Sequence, residues 1–419
     1  MRLPARLLLL GLALLLPAAG DDVFGLNDQA KKALEIGHYD DAILLLEKAR
    51  RLDAQNDVLR RNLGWAHFKR GKDLLDRGHV TQAAADLMRA VELDPSETGY
   101  ALHLAQVHLR RFHLASSEAT LRAALTHADD SAQAWLLLGD TLNLADRMDE
   151  AAPAYDQAVD LAEAAGDAKL AGFARESRAR NARQLDVERN YQTDSTPSFV
   201  LRYPLDTGGP SFGVRLVNVL ERARSDVGNA LGIFPRQKIT VVLYPPEEFK
   251  RATATHDWVG GLFDRKIRLP IADVVRDAPV IEATFRHEYT HLVVSTLDPR
   301  CASLINEGLA QVLETGRGQG LPRLVDHLDA RPGGREALPE VLSLPRDFME
   351  LGDADQVRSA YLVSHAFVDH VVAHQGMAAV VRWIEAAREQ PLDAAYRQAT
   401  GRNLADEERM FRERVSRAP

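Results

Sequence analysis

An internal repeat across residues 24–165 constrains the fold of this chain more than any other feature. A similar six-residue segment occurs four times, and successive copies start 41, 34 and 34 residues apart. A unit of this length forms one helical hairpin, which is too small to bury its own apolar face, so neighbouring units must stack. A small residue stands seven positions after the end of each copy. The copies begin at Gly37, Gly78, Phe112 and Asp146, and the small residues are Ala49, Ala90, Ala124 and Ala158.

This period and its small residues resemble the tetratricopeptide repeat. The resemblance implies an all-α solenoid of about four hairpins, for which an ordinary helical bundle is the alternative. The second unit is seven residues longer, and we place the excess near Lys69–Arg77 as two added turns of its first helix. A charged helix from Ala168 to Val187 is predicted to cap the solenoid, so that the repeat domain spans residues 24–189. Stacked hairpins create a concave surface, which we expect to bind a protein partner unless the repeats are purely structural.

The pentapeptide His287-Glu288-Tyr289-Thr290-His291 is the strongest functional signal. On an α-helix, positions i and i+4 share one face, so the imidazoles of His287 and His291 can bind one metal ion. Glu288 can reach a metal-bound water without ligating the metal, which is the position of a general base. Fifteen residues separate His291 from Glu307, which is room for a turn near Pro299 and a returning helix. Two histidines and Glu307 as third ligand would leave one position open, as in catalytic rather than structural zinc sites.

The same pentapeptide followed by Asn306-Glu307-Gly308-Leu309-Ala310 resembles the gluzincin metallopeptidases, and most closely their peptidase-MA-like group. The likeness extends over about residues 198–390 and includes segments that resemble a family strand at 239–244 and an edge strand at 258–269. The resemblance implies an α+β domain over residues 198–419 that binds Zn²⁺ through His287, His291 and Glu307. The chain departs from the family at Gln311, where an acidic residue is frequent. A glutamine there would orient a ligand histidine less strongly than a carboxylate does.

The resemblance also extends to the helix that follows the site, where Tyr361 and His365 lie one turn apart. A hydrolase needs a hydrogen-bond donor to the oxyanion of its tetrahedral intermediate, and a phenol or an imidazolium can serve. The family likeness favours Tyr361 as this catalytic donor. A tyrosine that is only buried and hydrogen-bonded within the fold is the alternative, and His365 stays open as the donor.

Three other sites have a functional and a structural interpretation. Cys301, the one cysteine, is either a catalytic thiol or a small buried residue in the turn between the two metal helices, which we favour. His370 and His374 also stand at i and i+4, but they lack a nearby third ligand and are predicted to form a solvated pair on a helix. Gly260-Gly261 indicates either a bulge or a strand edge that a substrate peptide could pair with.

Residues 1–20 resemble a signal peptide. Arg2 and Arg6 precede an apolar run from Leu7 to Leu15, and Pro17-Ala18-Ala19-Gly20 is a small-residue cleavage site. The run is short for a bilayer span, and no second apolar stretch of that length follows, so we expect an exported protein, periplasmic or secreted, without a transmembrane segment in the mature chain. Removing two arginines changes the formal charge from −8 to −8 − 2 = −10, which argues against nucleic acid as a partner.

The polar segment 190–197 is predicted to be a linker between the repeats and the α+β domain. The sequence as a whole then predicts an exported zinc metallopeptidase, with a peptide or protein as substrate and the repeats as a docking domain. One alternative is a non-enzymatic repeat scaffold with a degenerate or structural metal-binding domain. Glu288 argues against it, because a structural site has no use for a general base. Another alternative is hydrolysis of a substrate other than a peptide.

Overall fold

The structure is a computed structural model that describes residues 22–205, 212–254, 262–263, 266–270 and 274–419. The predicted leader, residues 1–20, and the pair Gly260-Gly261 lie outside these described residues. The chain divides into two compact units, residues 1–103 and 104–419. Both contain helical hairpins of the repeat type, and the second also contains the α+β domain.

The first unit consists of two hairpins and the start of the next helix. Its helices are α1 (Val23–Glu35), α2 (Tyr39–Leu52), α3 (Asp57–Asp76), α4 (Val80–Leu93) and the beginning of α5 (Thr98–Arg110). α3 is 20 residues long against 13 in α1, so it contains the seven extra residues of the second repeat. Ala49 and Ala90 are fully buried, because α2 and α4 pack closely against the first helix of their own hairpins.

The second unit begins with two further hairpins and a long helix. Its helices here are the rest of α5, then α6 (Leu114–Leu125), α7 (Ala132–Leu144), α8 (Met148–Ala164) and α9 (Ala168–Glu188). The turn inside each of the four hairpins starts with a left-handed residue. Gly37 and Gly78 have φ of 79°, and glycine adopts such angles without strain. Phe112 and Asp146 take the same place with φ of 57° and 62°, where a side chain raises the energy of the backbone.

The α+β domain is built on a five-stranded sheet of order β1-β2-β3-β5-β4. The strands are β1 (Tyr191–Ser195), β2 (Phe199–Pro204), β3 (Ile239–Tyr244), β4 (Leu262–Phe263) and β5 (Ile267–Pro270). β2, β3 and β5 are parallel, and the two outer strands are antiparallel to their neighbours. The segment 239–244 that resembles a family strand forms β3, while the segment 190–197, predicted as a linker, contributes β1.

β1 forms where a linker was predicted, and the reason is physical. The backbone groups of β1 pair with β2, while alternate side chains among Tyr191, Gln192 and Thr193 can face the domain. Backbone pairing of this kind does not depend on apolar side chains, so a polar sequence still forms an edge strand. Tyr191 donates a hydrogen bond of 2.6 Å to Glu248 and packs its ring against Tyr244. The repeat region therefore continues into the sheet within two residues of the end of α9.

Helices surround the sheet and continue to the end of the chain. They are α10 (Phe212–Leu231), α11 (Pro246–Thr253), α12 (Val274–Leu297), α13 (Ser303–Thr315), α14 (Gly320–Asp329), α15 (Ala354–Gln375), α16 (Met377–Ala387), α17 (Leu392–Thr400) and α18 (Leu404–Arg417). α12 begins five residues before Pro279 and contains this proline. A proline near the first turn removes only one backbone hydrogen bond, so the helix can extend past it. Phe285, Tyr289 and Leu292 of α12 are fully buried in the core shared with the sheet and α10.

Buried ion pairs join the last repeat to the sheet. Lys266 is 1% exposed and its Nζ lies 2.6 Å from Asp146 Oδ1. Arg202 Nη1 lies 2.8 Å from Glu188 Oε2 and 3.3 Å from Asp146 Oδ1. Tyr244 donates a hydrogen bond to Glu188, which is 2% exposed. Asp146 thus uses its side chain at the strained turn position where the first two repeats have glycine.

Candidate metal centre

Two helices bring the predicted metal ligands together. α12 carries His287 and His291, and α13 returns along it after a five-residue connection with Glu307 in its second turn. Because Phe285 and Tyr289 bury one side of α12 in the core, the two histidines project from the opposite side. Glu307 Oε2 lies 3.7 Å from His287 Nε2 and 3.6 Å from His291 Nε2. The three predicted ligands therefore converge on one point.

This arrangement fits a zinc ion. The three ligand atoms all lie within 4.8 Å of one another. Atoms about 2.1 Å from one zinc in a tetrahedral arrangement lie roughly 3.4 Å apart, so the observed distances need only a small adjustment. The side chains are 18%, 13% and 16% exposed, in the order His287, His291, Glu307, which leaves an opening to solvent. Two imidazoles and one carboxylate form the donor set of catalytic zinc sites.

Each histidine is oriented by a hydrogen bond on its other ring nitrogen. His287 Nδ1 lies 2.9 Å from Glu314 Oε2, and His291 Nδ1 lies 3.0 Å from Asn306 Oδ1. Because these oxygens only accept, each Nδ1 carries the proton and each Nε2 points its lone pair toward the centre. Gln311 has a different partner, since its Nε2 lies 3.4 Å from the backbone oxygen of Tyr361. The acidic partner that the sequence analysis missed is thus Glu314, two turns beyond Glu307.

A close contact between helices fixes the position of Glu307. A Cβ added to Gly308 would overlap the backbone oxygen of Ser364 and the side chain of Val368 on α15. Glycine at this position lets α13 and α15 approach each other with their backbones almost in contact. The glycine of the Asn-Glu-Gly-Leu-Ala segment therefore supports the ligand beside it through packing rather than through chemistry.

Glu288 is a buried carboxyl beside the ligands. Its residue is 6% exposed, and burial, the largest cause, raises the pKa of Glu288 to about 7. The neighbouring carboxylates of Glu307 and Glu314 raise this pKa further, while the adjacent His287 lowers it. A carboxyl with a pKa near neutrality can both accept and release a proton.

The two candidate oxyanion donors differ in their surroundings. Burial, together with the charges of Glu307 and Glu288, raises the pKa of Tyr361 well above its ordinary range, so the phenol stays protonated next to the ligands. Burial lowers the pKa of His365 to about 4, so this imidazole is neutral at pH 7. His365 Nε2 lies 3.2 Å from Thr315 Oγ1, which directs it to α13. These surroundings suit Tyr361 as donor better than an imidazolium at His365.

His370 and His374 are not the solvated pair that the sequence suggested. His370 is 3% exposed, and Glu407 from α18 supplies a carboxylate as a third potential ligand within reach of both rings. The two histidines share a helix face, but the first turn of α18 lies against His370 on that face, which local sequence does not reveal. Cys301, in contrast, agrees with its structural interpretation. Cys301 is half-buried in the connection between α12 and α13, and burial raises the pKa of its thiol well above its usual range, which disfavours the reactive thiolate.

The sequence model of the tetratricopeptide repeat family matches residues 27–73, 68–112 and 113–168. The N-terminal part of this chain is a tetratricopeptide-repeat solenoid. Repeats of this family are protein-interaction modules, which supports the prediction that the partner of this part is a protein. No curated protein matches the chain. The gluzincin resemblance of residues 198–390 stays a prediction.

Several solved structures of tetratricopeptide-repeat proteins are similar to this chain. MamA 41-end from Desulfovibrio magneticus RS-1 is 20% identical and covers 39% of this chain and 92% of its own, with a TM-score of 0.29. YrrB, a TPR protein with an unusual peptide-binding site, is 18% identical and covers 37% and 92%, with a TM-score of 0.26. A thermophilic TPR protein of Thermus thermophilus is 20% identical and covers 37% and 98%, with a TM-score of 0.23. In the part of the chain that the structure describes, no helix is long and apolar enough to span a membrane.

Proposed function

We propose that this protein is a zinc-dependent peptidase whose tetratricopeptide repeats dock a protein partner or substrate. The observation that carries the proposal is the convergence of His287 Nε2, His291 Nε2 and Glu307 Oε2 beside the buried carboxyl of Glu288. Zn²⁺ held by these three residues would supply a Lewis acid that polarises a carbonyl and acidifies water. A site that served structure alone would not need Glu288.

The chain's own residues account for the proton transfers. Glu288 accepts a proton from the attacking water and passes it to the amine that leaves. Glu314 and Asn306 keep the ligand imidazoles in one tautomer during turnover, because each holds an Nδ1 proton. Tyr361, whose phenol stays protonated, donates to the oxygen on which negative charge develops.

The test is the variant Glu288→Gln. An amide of the same shape cannot accept the water proton, so we expect cleavage to fall by about 10²–10⁴-fold while metal content and fold are kept. The assay is a broad peptide-cleavage screen with and without chelator, beside metal analysis of the purified protein. Glu282→Gln, on the same helix and paired with Arg222 and Arg286, is the matched control.

Each outcome of this test is informative. Wild-type cleavage by Glu288→Gln, on a substrate that chelator protects, would contradict the mechanism. Metal binding without any chelator-sensitive cleavage by the wild type would favour the non-enzymatic scaffold. We also propose that the protein is exported, to the periplasm or beyond the cell, because of the signal-like residues 1–20. An N-terminus that still begins at Met1 in the protein purified from its native cells would contradict this.

A further inference from the structure

A second cluster of potential metal ligands lies between the C-terminal half of α15 and α18. His370 and His374 stand one turn apart on α15, and Glu407 lies in the first turn of α18. Glu407 Oε1 is 3.2 Å from His370 Nε2 and 3.7 Å from His374 Nδ1. As in the first centre, one ligand atom from each residue lies within 4.8 Å of the others. Residues 370, 374 and 407 take no part in the proposed peptidase mechanism.

Three polar atoms of this cluster, on His370 and Glu407, are buried and lack a hydrogen-bond partner among the residues that the structure describes. His370 and Glu407 are 3% and 1% exposed. Neither ring nitrogen of His370, nor Glu407 Oε1, makes a hydrogen bond with any residue that the structure describes. His370 Nε2 and Glu407 Oε1 face each other at close range, but not in hydrogen-bond geometry. Leaving such groups buried and unbonded is unfavourable, so the cluster needs a further partner.

The hydroxyl of Tyr396 lies near Glu407, but neither Tyr396 Oη nor Glu407 Oε1 has a hydrogen-bond partner in good geometry among the residues that the structure describes. Gln375 Nε2 lies 3.4 Å from Glu407 Oε2, which satisfies the other oxygen of this carboxylate. The ring of Phe411 packs 5.6 Å from the ring of His370 and closes the apolar side. His374, whose side chain is 38% exposed, forms the solvent side and gives an ion access to the cluster.

We propose that His370, His374 and Glu407 form a second binding site for a divalent transition ion of the zinc type. Imidazole nitrogens with one carboxylate suit Zn²⁺ and its transition-metal neighbours, whereas Mg²⁺ and Ca²⁺ prefer all-oxygen sites. His374 Nδ1 would exchange its 3.0 Å contact with the His370 backbone oxygen for the ion. Among the groups that the structure describes around these three residues, no carboxyl has a position equivalent to that of Glu288 in the first centre. The ion would therefore tie α18 to α15, the helix that packs on α13 and its ligand Glu307.

The experiment compares metal stoichiometry in matched variants. The purified chain is stripped with chelator and titrated with Zn²⁺, and separately with Co²⁺, whose visible absorption reports coordination. We expect His374→Ala to bind one ion fewer than the wild type, and His127→Ala, a change at another exposed histidine, to bind as many. His374 is partly exposed on a helix, where alanine is well tolerated, so the variant should fold. Circular dichroism checks that it does.

A second arm separates this site from the first centre. In the His291→Ala background we expect one ion to remain bound, and to be lost when His374→Ala is added. Unchanged stoichiometry in His374→Ala, or no binding at all in folded His291→Ala, would overturn the proposal and would mean that His370 and Glu407 form only a buried ion pair. If the wild type binds a single ion that is lost in His374→Ala and kept in His291→Ala, the second site stands and the first centre fails.

Discussion

Glu314 offers the sharpest test of how the first centre is built. Its carboxylate accepts a 2.9 Å hydrogen bond from His287 Nδ1, and Glu314→Ala removes this partner without touching a proposed ligand. Partners of this kind are typically worth about 10–100-fold in metal affinity, which corresponds to about 1.4–2.7 kcal/mol. The side chain is 33% exposed, so solvent screens its charge and the effect belongs at the lower end. We expect a loss of about tenfold in zinc affinity.

The assay is a competition titration against a chelator of known zinc affinity at neutral pH. It is carried out in the His374→Ala background, so that only the first centre is measured. Glu314→Gln keeps an acceptor oxygen but loses the charge, and we expect it to fall between the wild type and Glu314→Ala. Asp326→Asn removes an exposed acid on the next helix and serves as control. Zinc affinity of Glu314→Ala within about twofold of that control would refute the positioning role.

Two further predictions concern packing around the site and the junction with the repeats. Gly308→Ala forces α13 away from α15, so we expect a loss of about 1–3 kcal/mol in the free energy of unfolding together with weaker zinc binding. Gly172→Ala is the control, because no described atom lies within 4 Å of its new methyl group. Equal denaturation midpoints for the Gly308→Ala and Gly172→Ala variants would contradict the close-contact argument. Glu188→Ala leaves Arg202 buried without this carboxylate. We expect the free energy of unfolding, measured by urea denaturation, to fall by about 3 kcal/mol, and a change below about 1 kcal/mol would refute the argument. For the same reason residues 198–419 expressed alone, without β1 and the partners of Lys266, should fail to fold, and a cooperative unfolding transition in that fragment would contradict this.

The helices and the central strands follow from local sequence because their signals are local. The 34-residue period depends on buried small residues within each hairpin, and the strands β2 and β3 are short apolar runs with turns around them. The histidine spacing in the pentapeptide needs only one helical turn. Segments whose structure depends on distant partners were harder to predict. β1 is polar and forms because β2 offers its free edge, and α14 and α17 are short helices whose apolar faces are defined only by the core that they cover.

The sequence by itself determined that two imidazoles share a helix face and that repeated hairpins must stack, because helical geometry relates residues three or four apart in any context. The sequence also predicted Glu307 as the third ligand, because a turn and a returning helix fit between residues 291 and 307. Only the tertiary structure decided which side chains complete each cluster. Gln311 of α13 lies against the backbone oxygen of Tyr361 on α15, whereas Glu314 reaches His287 on α12. Glu407 reaches His370 from 37 positions along the chain because α18 folds back across α15. Such pairings depend on helix crossings set by the whole core, and no local spacing contains them.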